Sequence, residues 1–200
     1  MTAIQNLCER VIVLDDGGII FSGKMPEGIA RYISAVGEPK ARLADYKSHT
    51  GTGDIRIKDI YIRGRDGQRR NSVLCGEPAD IVLEYENCNL TPDTQVWVSV
   101  FVRTEMEAPV FLHHNRMSGT EISGLSKRGK FVCSIESLPL CPAAYSLTYS
   151  VLKRDSTYLD GLSDACKLIV EGTSFKIAET PPPSFGPLIV EAKWSVEKVQ

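Results

Sequence analysis

The stretch TQVWVSVFVR, residues 94–103, decides the fold. Every second residue from 96 to 102 is valine, and the residues that alternate with the valines are Trp97, Ser99, Phe101 and Arg103. A period of two is the pattern of a β-strand with one buried face. Because valine is apolar and suits a strand, we predict that the valines point into a core. Trp97 and Phe101 are then left on the opposite face, where antiparallel sheets usually carry polar side chains.

Strand-like runs recur on both sides of this stretch. They cover residues 54–63, 79–87, 94–103, 109–114, 130–136, 144–153, 166–170, 175–177 and 188–196. Turn signals such as Arg65-Asp66-Gly67 separate them. Eight or nine short strands at this spacing predict an all-β fold, an immunoglobulin-like antiparallel β-sandwich. The segment KRDSTYLDGLSDAC, residues 153–166, is rich in aspartate and is predicted to form loops and turns.

The first part of the chain has a different character. Residues 1–36 combine a short amphipathic helix, the hairpin pattern RVIVLDDGGIIFSG and a second helix that begins near Pro26. Residues 37–53 are polar and predict a linker. Because about 36 residues are too few for a stable core, we expect this piece to be the tail of a larger domain. The predicted organisation is an α/β remnant over 1–36, a linker over 37–53 and the sandwich over 54–200.

An aromatic surface is predicted on the outward side of the sheet. Simple alternation along 109–114 places two further residues, Phe111 and His113, on the same side as Trp97 and Phe101. Rings with hydroxyl and charged groups beside them suit sugars, because the C–H face of a pyranose packs on a ring. The candidate carbohydrate-binding residues are Trp97, Ser99, Phe101, Arg103, Phe111 and His113. The alternative is that a loop, a partner domain or a second copy covers the rings.

Composition excludes several other classes of protein. The 200 residues carry 23 basic and 25 acidic side chains, a net charge of −2, which argues against nucleic acid as a partner. No apolar run reaches the roughly 20 residues of a membrane span, and the first residues do not resemble a signal peptide. The chain is therefore predicted to be soluble and cytosolic. The six cysteines lack metal-binding spacing and are predicted to be free thiols.

We predict no catalytic site. The sequence contains no G-x-S-x-G, H-E-x-x-H or GxxxxGK[ST] motif. A carboxylate pair among Asp155, Asp160 and Asp164 could in principle do acid–base chemistry on a saccharide. Solvation of a loop is the simpler interpretation of these aspartates. No metal or cofactor site is predicted in the chain.

The first resemblance to a known family lies at the amino-terminal end of the chain. In residues 1–36, the positions of Arg10, Leu14, Gly17 or Gly18, and Gly23 resemble the last part of an ABC-transporter nucleotide-binding domain. The phosphate loop, the signature motif, the acidic Mg²⁺ strand and the switch histidine of that family would lie upstream of Met1. The resemblance therefore implies that ATP and Mg²⁺ bind in an upstream domain and that this chain binds neither.

The rest of the chain is similar to the C-terminal domain of polysaccharide-exporter ATPases of the Wzt type, which serve O-antigen export. The matching pieces are Gly51-Thr52-Gly53-Asp54, Asp66-Gly67, Gly76-Glu77, YSLTYSVLK, Tyr158-Leu159-Asp160, Asp164-Ala165, Gly186 and Trp194. This resemblance implies a β-sandwich that binds the exported glycan in the cytoplasm, at the inner membrane, and couples recognition to transport through a permease.

The same resemblance implies a homodimer in which the last strand, residues 188–196, is exchanged between protomers. The alternative is that this strand folds back onto its own sheet. The alternative function is a structural one, in which the sandwich serves for dimerisation or regulation and does not bind glycan directly.

Overall fold

Two β-sheets packed face to face make up most of the structure. The structure is a computed structural model and describes residues 10–15, 17–24, 28, 32, 43, 49–175, 186–190, 192 and 194–196. The described residues contain no helix long and apolar enough to span a membrane. The five cysteines among them, 75, 88, 133, 141 and 166, are free thiols.

The amino-terminal hairpin forms as predicted. Strand β1 (Arg10–Asp15) pairs antiparallel with β2 (Gly18–Lys24), and Gly17 between them has a φ of +79°, a conformation that glycine adopts without strain. The first predicted helix, most of the predicted linker and all of the second predicted helix except Gly28 and Tyr32, which are helical, lie outside the described residues. The domain boundaries therefore stay a prediction.

The sandwich consists of a four-stranded and a five-stranded sheet. The first has the order β4 (Arg69–Arg70), β3 (Ile55–Gly64), β6 (Ala79–Asn87) and β9 (Arg128–Ile135). The second has the order β5 (Ser72–Cys75), β11 (Tyr158–Thr173), β10 (Ala143–Lys153), β7 (Val96–Thr104) and β8 (Pro109–His114). All pairings are antiparallel except that of β5 with β11. The all-β antiparallel sandwich is confirmed.

The core lies between the two sheets, and the valine face of β7 points into it as predicted. Val96, Val98, Val100 and Val102 are 0–8% exposed. Apolar side chains from every second position of β6 and β10, and from Ile55, Ile57, Ile60 and Ile62 of β3, complete the core, which is continuous across both sheets. Period-two alternation thus fixed which face of β7 is buried.

The prediction that residues 153–166 form loops and turns is wrong for most of the segment. Residues from Tyr158 onward belong to β11, a single strand of 16 residues. Leu147 pairs with Cys166 and Tyr149 with Leu162, so β11 carries two extra residues at this point. Asp164, with a φ of +51°, lies in this bulge. Ser163 and Asp164, two of the polar residues that suggested a loop, are accommodated in this bulge.

The first half of β11 also binds the segment that precedes the sandwich. Thr50 forms an antiparallel bridge with Gly161, and the Gly53 N–H donates to the Leu159 carbonyl at 2.9 Å. Gly51 has a φ of +112°, and a Cβ there would lie 2.6 Å from the carbonyl carbon of Leu159. Only glycine fits this approach, which accounts physically for the Gly-Thr-Gly sequence.

Asp160 anchors this junction from inside. Its carboxylate is fully buried and accepts hydrogen bonds from Arg56 Nη1 at 2.6 Å, the Ile57 N–H at 2.8 Å and the Tyr149 hydroxyl at 3.0 Å. His49 Nδ1 lies 2.9 Å from the same carboxylate. Burial, followed by the charge of Asp160, raises the pKa of Tyr149 above its usual range, so Tyr149 stays a donor. The carboxylate expected in a solvated loop is a buried acceptor that ties three strands together.

Candidate functional site

The outward face of β7 carries the predicted aromatic residues. Trp97, Ser99, Phe101 and Arg103 alternate with the buried valines and are all partly exposed. Their placement on the outer surface of the five-stranded sheet is therefore confirmed. Their role in binding stays a prediction.

Phe111 and His113 do not belong to this face, and their predicted orientation is wrong. In the register of β7 with β8, Phe111 lies opposite Val102 and His113 lies opposite Val100. Residues directly opposite each other in an antiparallel pair share a face, so both side chains point toward the core. Phe111 packs against the core, and His113 lines a cavity of about 220 Å³ between the two sheets. There His113 Nδ1 lies 3.9 Å from the sulfur of Cys133.

A β-bulge is the reason for this inversion. Arg103 pairs with Pro109, yet the next residue of β7, Val102, pairs with Phe111, so Val110 is an extra residue on β8. One extra residue moves every later side chain of a strand to the opposite face. The turn before the bulge closes through the Thr104 N–H and the Ala108 carbonyl at 2.9 Å. Nothing in the local alternation of β8 reveals the extra residue.

The bulge brings two other residues of β8 to the outer face. Leu112 lies opposite Phe101 and is 49% exposed, and His114 lies opposite Ser99. Sequence reasoning placed both on the buried side. The only local sign of the bulge is Pro109 at the start of the strand, because proline is found at strand starts and at bulges.

The outer face has rows of side chains that run across the strands. Trp97, Leu152 and Tyr158 make one bulky row, and Phe101, Thr148 and Leu112 make another. Between them runs a row of small or polar residues: His114, Ser99, Ser150 and Gly161. The hydroxyls of Ser99 and Ser150 are 2.7 Å apart and hydrogen-bonded. We call this middle row, with its two bulky neighbours, the trough.

Each aromatic ring of β7 carries an arginine on one face. The Arg116 Cζ lies 4.0 Å from the ring centroid of Trp97, and the Arg103 Cζ lies 4.7 Å from that of Phe101. Arg103 also pairs with Glu107 at 3.1 Å. These contacts are cation–π interactions, worth about 0.5–1 kcal/mol at exposed sites. One face of each ring is thus covered by an arginine side chain.

Two buried polar atoms of the described residues have no hydrogen-bond partner, and both belong to this face. They are Nδ1 of His114 and Oγ of Ser146, whose residue is 2% exposed. Ser146 lies directly opposite Arg103. A buried polar group without a partner is rare and costs stability, so each calls for a physical explanation. Each atom has less than 1 Å² of accessible surface, so a ligand on the outer face would reach it only after the surrounding side chains move.

The outer face of the four-stranded sheet differs in its electrostatics. There Lys130 pairs with Glu84 at 2.8 Å and Lys58 pairs with Glu86 at 3.0 Å. The hydrogen bond from Lys130 lowers the pKa of Glu84, and the bond from Lys58 lowers the pKa of Glu86. These charges neutralise each other, so this surface gives no reason to expect a charged ligand.

Comparisons with known proteins agree with the fold. The sequence matches the family model of the Wzt C-terminal domain over residues 46–180. A search of curated proteins finds no match. A crystal structure of the C-terminal domain of wzt is similar at 16% identity and a TM-score of 0.59, covering 80% of this chain and 93% of that one. A β-glucuronidase of Bacteroides uniformis is similar at 13% identity over 55% of this chain and 14% of that one, and its TM-score of 0.36 is too low to define a shared fold.

The fold defines an immunoglobulin-like β-sandwich domain with one outer face whose polar groups are incompletely paired. Because the family model covers more than half of the sequence, the chain belongs to the Wzt C-terminal domain family. Membership of this family fits a role in an ABC exporter.

Proposed function

We propose that this domain binds the exported polysaccharide along the trough and thereby couples recognition of the glycan to its export. The observation that carries the proposal is the outward row of Trp97, Ser99, Phe101 and Arg103, all partly exposed on one strand of the five-stranded sheet. Sugar hydroxyls both donate and accept hydrogen bonds, and the hydroxyls of Ser99 and Ser150 lie between the rings to meet them. The rings would take the apolar faces of the sugars.

The dimensions of the face suit an extended chain. Trp97 and Phe101 are four residues apart on one strand, which corresponds to roughly 13 Å at 3.3–3.4 Å per residue. Several linked sugars would therefore contact the face together. A shallow surface buries little of each sugar, so a single face should bind weakly, and a dimer on a repeating polymer would gain avidity.

The mechanism is binding without bond breaking. We propose that the chain is not an enzyme and that it needs no cofactor of its own. ATP and Mg²⁺ would act in an upstream nucleotide-binding domain, which would dock on the membrane permease from the cytoplasm. The apolar side chains of Ile12, Leu14 and Ile19 are 59–65% exposed on the hairpin β1–β2, and such a patch supports packing against a further protein surface. No nucleic acid is expected as a partner.

A second copy of the chain is the other proposed partner. Leu188 bridges Leu140 of its own chain, and Ile189 is buried. Beyond them, Val190, Trp194 and Val196 are 78–99% exposed. Exposed apolar side chains of this kind support a homodimer by exchange within the segment 188–196, in which Val190, Trp194 and Val196 would pack on the partner sandwich. If dimerisation is the domain's whole role, it would be a structural module that binds no glycan.

Calorimetric titration of the domain with the polysaccharide exported by its own cell tests the proposal. Trp97→Ala should weaken binding by roughly tenfold, the equivalent of about 1.4 kcal/mol, because a ring contact is lost. Tyr61→Ala, a ring on the outer face of the other sheet, is the matched control and should leave affinity unchanged. Failure of the parent domain to bind while it still forms a dimer in light scattering would favour the structural module. Release of shorter saccharides would contradict the non-catalytic assignment.

A further inference from the structure

We propose that the sugar bound at the Trp97 end of the trough is acidic and that Arg116 and Arg154 recognise its carboxylate. This inference rests on the proposed function and adds the chemical class of the ligand to it. The observation behind it is the distribution of arginine partners over the sandwich.

Most arginines of the sandwich are neutralised by a carboxylate. Six of the nine between residues 54 and 175 form ion pairs within 4 Å: Arg56, Arg63, Arg69, Arg70, Arg103 and Arg128. Of the other three, Arg65 lies at the exposed β3–β4 turn. The remaining two, Arg116 and Arg154, lie at the same end of the trough and have no carboxylate partner among the described residues. Both side chains are exposed, so each is free to bind an anionic group of a ligand.

The positions of these two arginines follow from the strand register. Arg116 stacks on Trp97 at 4.0 Å. Leu152 lies opposite Trp97 on β10, and two residues later Arg154 donates from Nη1 to the amide oxygen of Gln95 at 3.0 Å. Gln95 lies two residues before Trp97, just before β7 begins at Val96. Arg154 is therefore held near the start of the strand that carries the indole ring, and Arg116 is stacked on that ring.

The turn after β8 holds Arg116 in place before any ligand arrives. The Asn115 side chain accepts from the Val98 N–H at 2.9 Å and donates to the Thr120 carbonyl at 2.7 Å. The backbone N–H of Met117 donates to the His114 carbonyl at 2.9 Å. Because this turn is tied to β7, the guanidinium is presented over Trp97 with little ordering left to do on binding.

The stacked guanidinium discriminates between neutral and acidic sugars. A neutral sugar that packs on Trp97 has to displace Arg116 and loses the cation–π contact without replacing it. A carboxylate instead accepts the in-plane N–H donors of a guanidinium in a bidentate pair, so the arginine is retained as a ligand.

Charge at the other end of the trough is arranged differently. Arg103 beside Phe101 is already paired with Glu107. Asp164 lies there too, since its N–H donates to the hydroxyl of Thr148, which is opposite Phe101. At the Trp97 end, Asp155 follows Arg154 in the chain, and its Oδ1 accepts from the Thr157 N–H at 2.9 Å. The two ends therefore differ in their stacked arginines, since Arg103 is ion-paired and Arg116 has no carboxylate partner among the described residues.

Oligogalacturonate and its fully methyl-esterified form are the test ligands, because they share a backbone and differ only in charge. We expect the domain to bind the acid at least tenfold more tightly than the ester, and added salt to reduce this difference. Arg116→Gln should abolish the preference, Arg154→Gln should reduce it, and Arg128→Gln on the opposite sheet should leave it intact. All three are exposed side chains, and a thermal melt of each variant checks its folding.

Equal affinity for acid and ester, absence of binding to the acid at millimolar concentration, or a preference that survives Arg116→Gln would overturn this inference. The proposed function fails on a different result. If the exported polysaccharide binds, loses affinity in Trp97→Ala and is indifferent to Arg116→Gln, glycan binding stands and only its acidic class is refuted. If the exported polysaccharide does not bind at all, the proposed function itself is refuted.

Discussion

Replacement of Asp160 by asparagine is the perturbation whose magnitude follows most directly from the structure. The carboxylate is fully buried and lies within 2.6–3.0 Å of four polar groups, one of which is the guanidinium of Arg56. Asparagine keeps the shape and one acceptor oxygen. Its NH₂ group would face donors, and the charge of Arg56 would lose its buried counter-charge.

The size of the effect can be bracketed. A hydrogen bond to a charged group contributes about 1.5–3 kcal/mol, and removing one partner of a buried ion pair costs about 3–5 kcal/mol. Because the Arg56 side chain is 29% exposed, water recovers part of the loss on that side. We therefore expect Asp160→Asn to lower the free energy of unfolding by about 3 kcal/mol. At about 2–4 °C per kcal/mol for a chain of this size, Tm should fall by roughly 6–12 °C.

Urea and thermal unfolding followed by circular dichroism measure this change. Asp80→Asn is the matched control, since Asp80 pairs with Arg63 at 2.6 Å but both side chains are 25–30% exposed. A partly exposed pair of this kind contributes about 1 kcal/mol or less. If Asp160→Asn costs no more than Asp80→Asn, the carboxylate is not the anchor of the junction and the reasoning is refuted.

Three further outcomes are expected. Gly51→Ala should destabilise the fold by more than about 1 kcal/mol, because its methyl would lie 2.6 Å from a backbone carbon of β11 at a φ of +112°; unchanged urea unfolding would contradict the close approach. Phe111→Ala should lower Tm while Phe101→Ala should change it little, since only the first ring packs on the core, and equal melts would contradict the bulge. Burial raises the pKa of Cys166 to about 11, two above its ordinary 9.0, so at pH 8 its thiol should react with iodoacetamide ~100-fold more slowly than an unshifted thiol. Peptide mass spectrometry measures this rate, with exposed Cys88 as the internal reference, and equal labelling of the two would refute it.

The candidate site was predictable on one strand and not on its neighbour. Alternation along β7 correctly assigned Trp97 and Phe101 to the outer face, because a regular strand has no other way to bury four valines. The same rule failed on β8, where the extra residue Val110 reversed the sides of Phe111 and His113. A bulge depends on how two strands close around a turn, and that closure is absent from the pattern of either strand alone.

The roles of residues that act through contacts with distant parts of the chain could not be predicted from the sequence either. Asp160 belongs to a polar segment that suggested a loop, and its burial depends on donors about 100 residues earlier in the chain. Arg116 belongs to an ordinary turn, and its role at Trp97 depends on how that turn folds back over β7. Neither residue lies in a motif with local periodicity.

The sequence by itself determined the all-β class, the buried face of β7 and the resemblance to the polysaccharide-exporter family. Those properties depend on alternation, composition and the order of short motifs, which are local features that can be identified in the sequence alone. Only the tertiary structure decided which side chains share the outer face, which arginines lack a counter-charge and which aspartate is buried. These depend on strand register and on contacts between residues far apart in the chain, where a shift of one position reverses every side chain that follows.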